Sequence, residues 1–160
     1  MSPLFHVAEL VRMGVEDEKA GVVLYSALAE KTADADLRGT YETLAEQERG
    51  HQARFEKMLD DLGNVQPTES HPGEYVEYLR AMLDSRAFPD EATARKKVQE
   101  SPSDAAALTL AIRFERDTLV LLTELRGMVP DRDQTIVDEL TREEQGHLVV
   151  LTAAREKLGG

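Results

Sequence analysis

The sequence contains no cysteine, which excludes disulfides, iron–sulfur clusters, thiolate zinc sites and cysteine nucleophiles. Basic charge is also scarce, with 19 lysines and arginines against 31 acidic residues and a formal charge of −12. Such a chain repels a phosphate backbone. No basic run or aromatic-interleaved basic patch offsets that, so nucleic acid is not expected as a partner. Long apolar runs are missing too. Charge interrupts every apolar segment well short of a membrane span, and the start, MSPLFHVAEL, lacks the basic and sustained apolar stretches of a secretory signal. The expectation is a soluble cytoplasmic protein with no membrane partner. Its 160 residues suit a single domain spanning residues 1–160, of a size whose core buries about two thirds of the unfolded chain's surface. Stability therefore does not require a metal, and any metal bound should be functional.

Strand-like alternation is hardly seen. Four long segments instead repeat apolar residues at spacings of three and four, the pattern of amphipathic helices in an all-α bundle. The first runs from about Ser2, an N-cap candidate, to Lys31, with its stripe at Val11, Val15, position 18, Val22, Tyr25 and Ala29. The second spans about Asp36 to Leu62, with Leu37, Tyr41, Leu44, positions 48 and 51, Phe55, Met58 and Leu62. A third starts within Ser101–Asp104 and ends between Gly127 and Pro130, with Leu108, Ile112, position 115, Leu119 and Leu122. After a turn expected at Asp131–Asp133, the fourth reaches Leu158 through Val137, Leu140, positions 144 and 147, Leu151 and Ala154.

About forty residues, Gly63 to Pro102, join the second helix to the third and carry shorter helical patterns at 74–83 and 91–99. Short loops within each pair and a long helical crossover between pairs make the topology ferritin-like. Positions 18, 48 and 51 also align with 115, 144 and 147 at shifts of 96 or 97 residues, as two copies of one hairpin would.

Those six positions are Glu18, Glu48, His51, Glu115, Glu144 and His147. Each interrupts a core stripe, where an isolated carboxylate would cost several kcal/mol to desolvate, so a cation should sit among them. Glu48 with His51, and Glu144 with His147, are three residues apart and project from one helical face. One glutamate from each of two helices and Glu-x-x-His from the other two is the ligand inventory of di-iron and di-manganese carboxylate bundles. Four carboxylates neutralise two divalent cations, and oxygen with imidazole suits iron or manganese, with zinc as an alternative.

Neighbouring acids fit less well. Glu16 and Asp17 lie about 200° and 100° around the helix from Glu18 and are expected to face solvent. Glu46 and Glu143 read as surface groups or as supports for the ligands. A zinc peptidase motif needs a histidine four residues before His51 or His147, where the chain has Gln47 and Glu143. His6 and His71 lack carboxylates at ligand spacing and read as ordinary surface or loop histidines. Tyr25 and Tyr41 share the ligand stripe about 10 Å along the axis from Glu18 and Glu48. Each is placed to tune electron transfer, to hydrogen-bond a ligand, or simply to pack.

The stretches Glu18-Lys19-Ala20 with Tyr25, Leu44-Ala45-Glu46-Gln47-Glu48-Arg49-Gly50-His51, Ala111-Ile112-Arg113-Phe114-Glu115-Arg116-Asp117 and Glu143-Glu144-Gln145-Gly146-His147 resemble a rubrerythrin-type ferritin-like domain over nearly the whole chain. The resemblance implies Glu48 and Glu144 as bridging ligands, Glu18 and Glu115 as terminal carboxylates, and one metal on each of His51 and His147. It further implies two iron ions, reduction of hydrogen peroxide or dioxygen, a homodimer and, because no cysteine-ligated rubredoxin module is present, a separate electron-donor protein. Two positions depart from the family. Thr118 stands where an extra carboxylate is usual, and Leu122 where the repeat with Tyr25 would place a tyrosine. Iron storage with ferroxidase activity is the alternative function, and a metal-free bundle serving as an interaction module is a third.

Overall fold

The structure is a computed structural model that describes residues 3–63, 77–78, 81–82, 84–86 and 90–159, with side chains from residue 7 onward. The expected N-cap Ser2, the side chain of His6, and His71 lie outside the described residues. Helices α1 (Pro3–Lys31) and α2 (Ala35–Leu62) form one hairpin, and α4 (Asp104–Arg126) and α5 (Asp131–Gly159) form the other. Between them in sequence lies α3 (Glu91–Glu100). Much of the shorter pattern expected at 74–83 falls outside the described residues; Glu77, Tyr78, Ala81 and Met82 within it are helical. No helix among the described residues is long and apolar enough to cross a membrane.

Local chemistry sets the helix ends. Asp34 caps α2 by accepting the N–H groups of Asp36 and Leu37, Asp90 caps α3 through Thr93, and Ser103 caps α4 through Ala106. Each side chain satisfies amides that the first turn leaves without partners. Helix α2 stops at Gly63, whose φ of 76° is open to glycine at little cost. The turn into α5 differs from expectation. It occupies Gly127–Pro130, and Asp131 already begins the helix, because Asp131 and Asp133 favour the positive end of the helix dipole.

Two apolar layers fill the bundle. Leu24, Tyr25, Leu28, Leu37, Tyr41, Leu44, Leu108, Ile112, Phe114 and Leu151 belong to one. The other holds Leu10, Val11, Val15, Phe55, Met58, Leu121, Leu122, Leu125, Val137 and Leu140. Burying a large apolar side chain contributes roughly 1.5–3 kcal/mol, so these layers bring the helices together without help from the polar stratum between them. That stratum lies where each of the four long helices passes from one layer to the other: position 18 on α1, 48 and 51 on α2, 115 on α4, 144 and 147 on α5. Five expected stripe positions, Ala154 of α5 among them as half-buried, fall short of full burial. Leu158 is exposed at the frayed end of α5, and Val22, Leu62 and Leu119 are half-buried, the face of α1 turning instead through Leu24, Tyr25 and Leu28.

The crossover helix α3 packs against α1 through the buried Ala94 and Val98. Lys31, in the last turn of α1, donates to the carbonyls of Val98 at 2.8 Å and Gln99 at 3.0 Å, and also to that of Ser101. Its ammonium thus satisfies the carbonyl end of α3, where the helix dipole is negative.

Candidate metal centre

The two hairpins bring Glu18, Glu48, His51, Glu115, Glu144 and His147 together, all of them buried. Their donor atoms fall into two overlapping groups in which each residue offers one ligand atom within 4.8 Å of the others: Glu18, Glu48, His51 and Glu144, and then Glu48, Glu115, Glu144 and His147. Glu48 and Glu144 belong to both. The two imidazoles stack face to face, with ring centroids 5.3 Å apart.

His51 Nδ1 lies 2.7 Å from Glu144 Oε1 and 3.6 Å from Glu18 Oε2. His147 Nδ1 lies 2.9 Å from Glu144, 3.0 Å from Glu48 and 3.4 Å from Glu115. Close as they are, these atoms are not aligned as hydrogen bonds. Both oxygens of Glu18, Glu48 and Glu144, Oε2 of Glu115 and both Nδ1 atoms are buried without a hydrogen-bond partner among the described residues. Buried polar groups in folded proteins are nearly always satisfied. A cluster of orphaned oxygens and imidazole nitrogens converging on common points therefore fits divalent cations, and its oxygen-rich donor set suits iron or manganese.

Electrostatics point the same way. Burial, and then the nearby carboxylates, push Glu48 well above the usual carboxylate range. Glu18 is pushed well above it chiefly by burial, and Glu115 is pushed up to about 8 by burial and by Glu144. Burial works against Glu144 also, but the two imidazoles outweigh it and hold that carboxyl at about 2. Burial disfavours charged imidazoles, yet the surrounding carboxylates prevail, raising His51 to about 9 and His147 to about 12. Without metal, the cluster compensates its charge with protons.

Around the cluster the structure settles several smaller expectations. Tyr25 donates its hydroxyl to Glu115 Oε1, while Tyr41 stacks on Tyr25 at 6.3 Å between centroids and its buried hydroxyl has no partner among the described residues. Gly21 permits a close approach, since a Cβ there would lie 2.8 Å from Glu48 Oε2 and 2.9 Å from the Phe114 ring. Glu16 and Glu46 are exposed and pair with Lys19 and Arg49. Glu143 accepts from His51 Nε2 at 2.9 Å and from Arg54 at 2.6 Å, and Arg54 foremost holds its carboxyl below the usual range.

Asp17 corrects the expectation of a solvent-facing acid, for it is only 2% exposed. It accepts from Thr118 Oγ1 at 2.7 Å and pairs with Arg86 at 3.1 Å. Burial raises it to about 6, against the pull of Arg86 and Thr118. Helical spacing from Glu18 gave no hint of this, because both partners come from distant segments. Two signals were available: Leu10, Leu24 and Leu28 share a helical face with Asp17, and Thr118 is a polar residue on the core face one turn beyond Glu115.

An all-α bundle whose buried middle layer consists of four carboxylates and two imidazoles defines a ferritin-like protein with a cluster able to hold metal. The Rubrerythrin family model matches residues 9–155. The chain belongs to the rubrerythrin family. Comparisons with curated proteins and with solved structures give no match.

Proposed function

We propose that this chain is a non-haem dinuclear-metal oxidoreductase that holds two iron ions and reduces hydrogen peroxide or dioxygen with electrons from a separate donor protein. The observation that carries the reading is the sharing of Glu48 and Glu144 between two groups of buried donors. Glu48 and Glu144 would serve both ions, with Glu18 and His51 completing the donor set of one and Glu115 and His147 that of the other. Two such ions supply two electrons and Lewis acidity to one oxidant.

The chain's own residues do the rest. The two apolar layers exclude bulk water from the cluster, which strengthens every charge interaction inside it. Tyr25 holds Oε1 of Glu115 through its hydroxyl, so this carboxylate is oriented by a group that is itself a potential proton donor. Four carboxylates would balance the charge of two divalent ions. Manganese and zinc are the alternative occupants. The protein is proposed to act as a cytoplasmic homodimer.

Anaerobic reconstitution with ferrous iron, followed by stopped-flow mixing with peroxide or dioxygen, tests the proposal. Two irons per chain and a rapid absorbance change with stoichiometric peroxide are expected. Two irons with no such change would refute the oxidoreductase reading. Cage-sized particles accumulating ferric mineral would instead assign the site to iron storage.

A further inference from the structure

The two hairpins carry matching ligands but not matching supports. On one side, Glu143 Oε2 sits 2.9 Å from His51 Nε2 and is itself braced by Arg54 at 2.6 Å. That bond fixes the ring with Nδ1 facing the cluster. The 96-residue shift relating His51 to His147 relates Glu143 to Gln47 and Arg54 to Val150. The second histidine has neither a carboxylate nor a cation at the corresponding places. Its Nδ1 faces the cluster in the same way, but its Nε2 is buried with no hydrogen-bond partner among the described residues.

His147 also lines a groove of about 570 Å³ between α2 and α5, together with Thr40, Thr43, Gln47, Val150 and, at the edge nearer His51, Glu143 itself. The residues that the repeat places opposite are bulkier or charged: Ile136 for Thr40, Glu139 for Thr43 and Arg54 for Val150. One imidazole is therefore clamped from behind, and the other adjoins open space.

A metal-bound imidazole whose far N–H is held by a carboxylate is fixed in tautomer and orientation and is a stronger donor; loss of such a support typically costs about 10–100-fold in metal affinity. We propose that Glu143, braced by Arg54, is a positioning residue that makes the ion on His51 the tightly held one, leaving the ion on His147 the weaker and the first to be lost. The inference rests on the dinuclear reading above and adds an order to the two sites.

Anaerobic titration of the metal-free protein with Co²⁺, followed by calorimetry and visible absorption, tests it. Mutual repulsion between two ions also separates binding steps, so the variants decide. Glu143→Ala should weaken the tighter step by about tenfold or more and leave the weaker step within about threefold. Glu143→Gln, which keeps an acceptor without the charge, should fall between, and Arg54→Met should act in the same direction. Installing the missing support with Gln47→Glu and Val150→Arg should draw the two steps together.

Thermal melts of the metal-free variants separate a change in ligand strength from a loss of folding, since general destabilisation does not single out one step. Glu143→Ala and Arg54→Met both leaving the tighter step unchanged, or weakening both steps equally, would overturn the inference while leaving the dinuclear reading intact. Fewer than two Co²⁺ per folded wild-type chain would instead overturn the dinuclear reading, and this inference with it.

Discussion

Loading the cluster with divalent ions should expel protons, and the number follows from the residues. Near pH 7 Glu144, held at about 2, is already ionised. Glu115 keeps a proton up to about 8, His51 to about 9 and His147 to about 12, and Glu18 and Glu48 are raised in the same direction. Two ions engaging all six side chains must displace at least the three protons on Glu115, His51 and His147. Each displaced proton adds about 1.4 kcal/mol to the joint binding free energy per pH unit. Between pH 6 and 7 the product of the two binding constants should therefore rise by roughly 10³-fold or more. The assay is Mn²⁺ titration by calorimetry in buffers of different ionisation enthalpy, checked by pH-stat. Release of fewer than two protons per chain with two ions bound would refute the reasoning, because it would mean that the carboxylates were already ionised or that other groups bind the metal.

The metal-free protein should respond to pH in the opposite sense. Protons on Glu115 and His51 contribute stability that is complete below their unfolded values of 4.5 and 6.5 and is lost as pH rises through about 8 and about 9, so its melting temperature should fall from pH 6 to pH 9 and Mn²⁺ should restore it. Tyr25→Phe removes the hydroxyl bonded to Glu115 and should destabilise the metal-free protein by about 1–3 kcal/mol in urea titrations, whereas Tyr41→Phe, which loses an unpartnered hydroxyl, should cost less than about 1 kcal/mol. Gly21→Ala drives a methyl group against Glu48 and Phe114; about 1–3 kcal/mol of overpacking in thermal melts, and fewer ions per chain by metal analysis, are expected. Asp17→Ala breaks a buried ion pair and should cost about 3 kcal/mol by chemical denaturation, the low end for such pairs, because Arg86 keeps some access to water.

The clustering of the six carboxylate and imidazole side chains was legible because its geometry is local. Three-residue spacing places Glu48 with His51 and Glu144 with His147 on one face each, and the repeat puts all four at the same depth in the bundle. The all-α architecture followed from apolar periodicity for the same reason. What escaped depended on partners far along the chain. Asp17 is buried because Thr118 and Arg86, 101 and 69 residues away, compensate it, and no helical wheel of α1 contains either. Glu143 was read as a surface group or a support for the ligands, and what the sequence left open was its partners, His51 and Arg54, 92 and 89 residues away. The α5 boundary was misplaced because aspartates suit a turn and a first helical turn alike; in the structure the helix already begins at Asp131.

Neither hairpin owns a complete ligand group. The group around His51 takes Glu18, Glu48 and His51 from the first hairpin but borrows Glu144 from the second, and the group around His147 borrows Glu48 in return. Each half lends the other one carboxylate, so metal capture would also clasp the halves together, and two separate hairpins could build the same cluster by pairing about a twofold axis. The long crossover then works as a tether that keeps the halves at high mutual concentration, leaving the chemistry of the clasp to residues it does not contain.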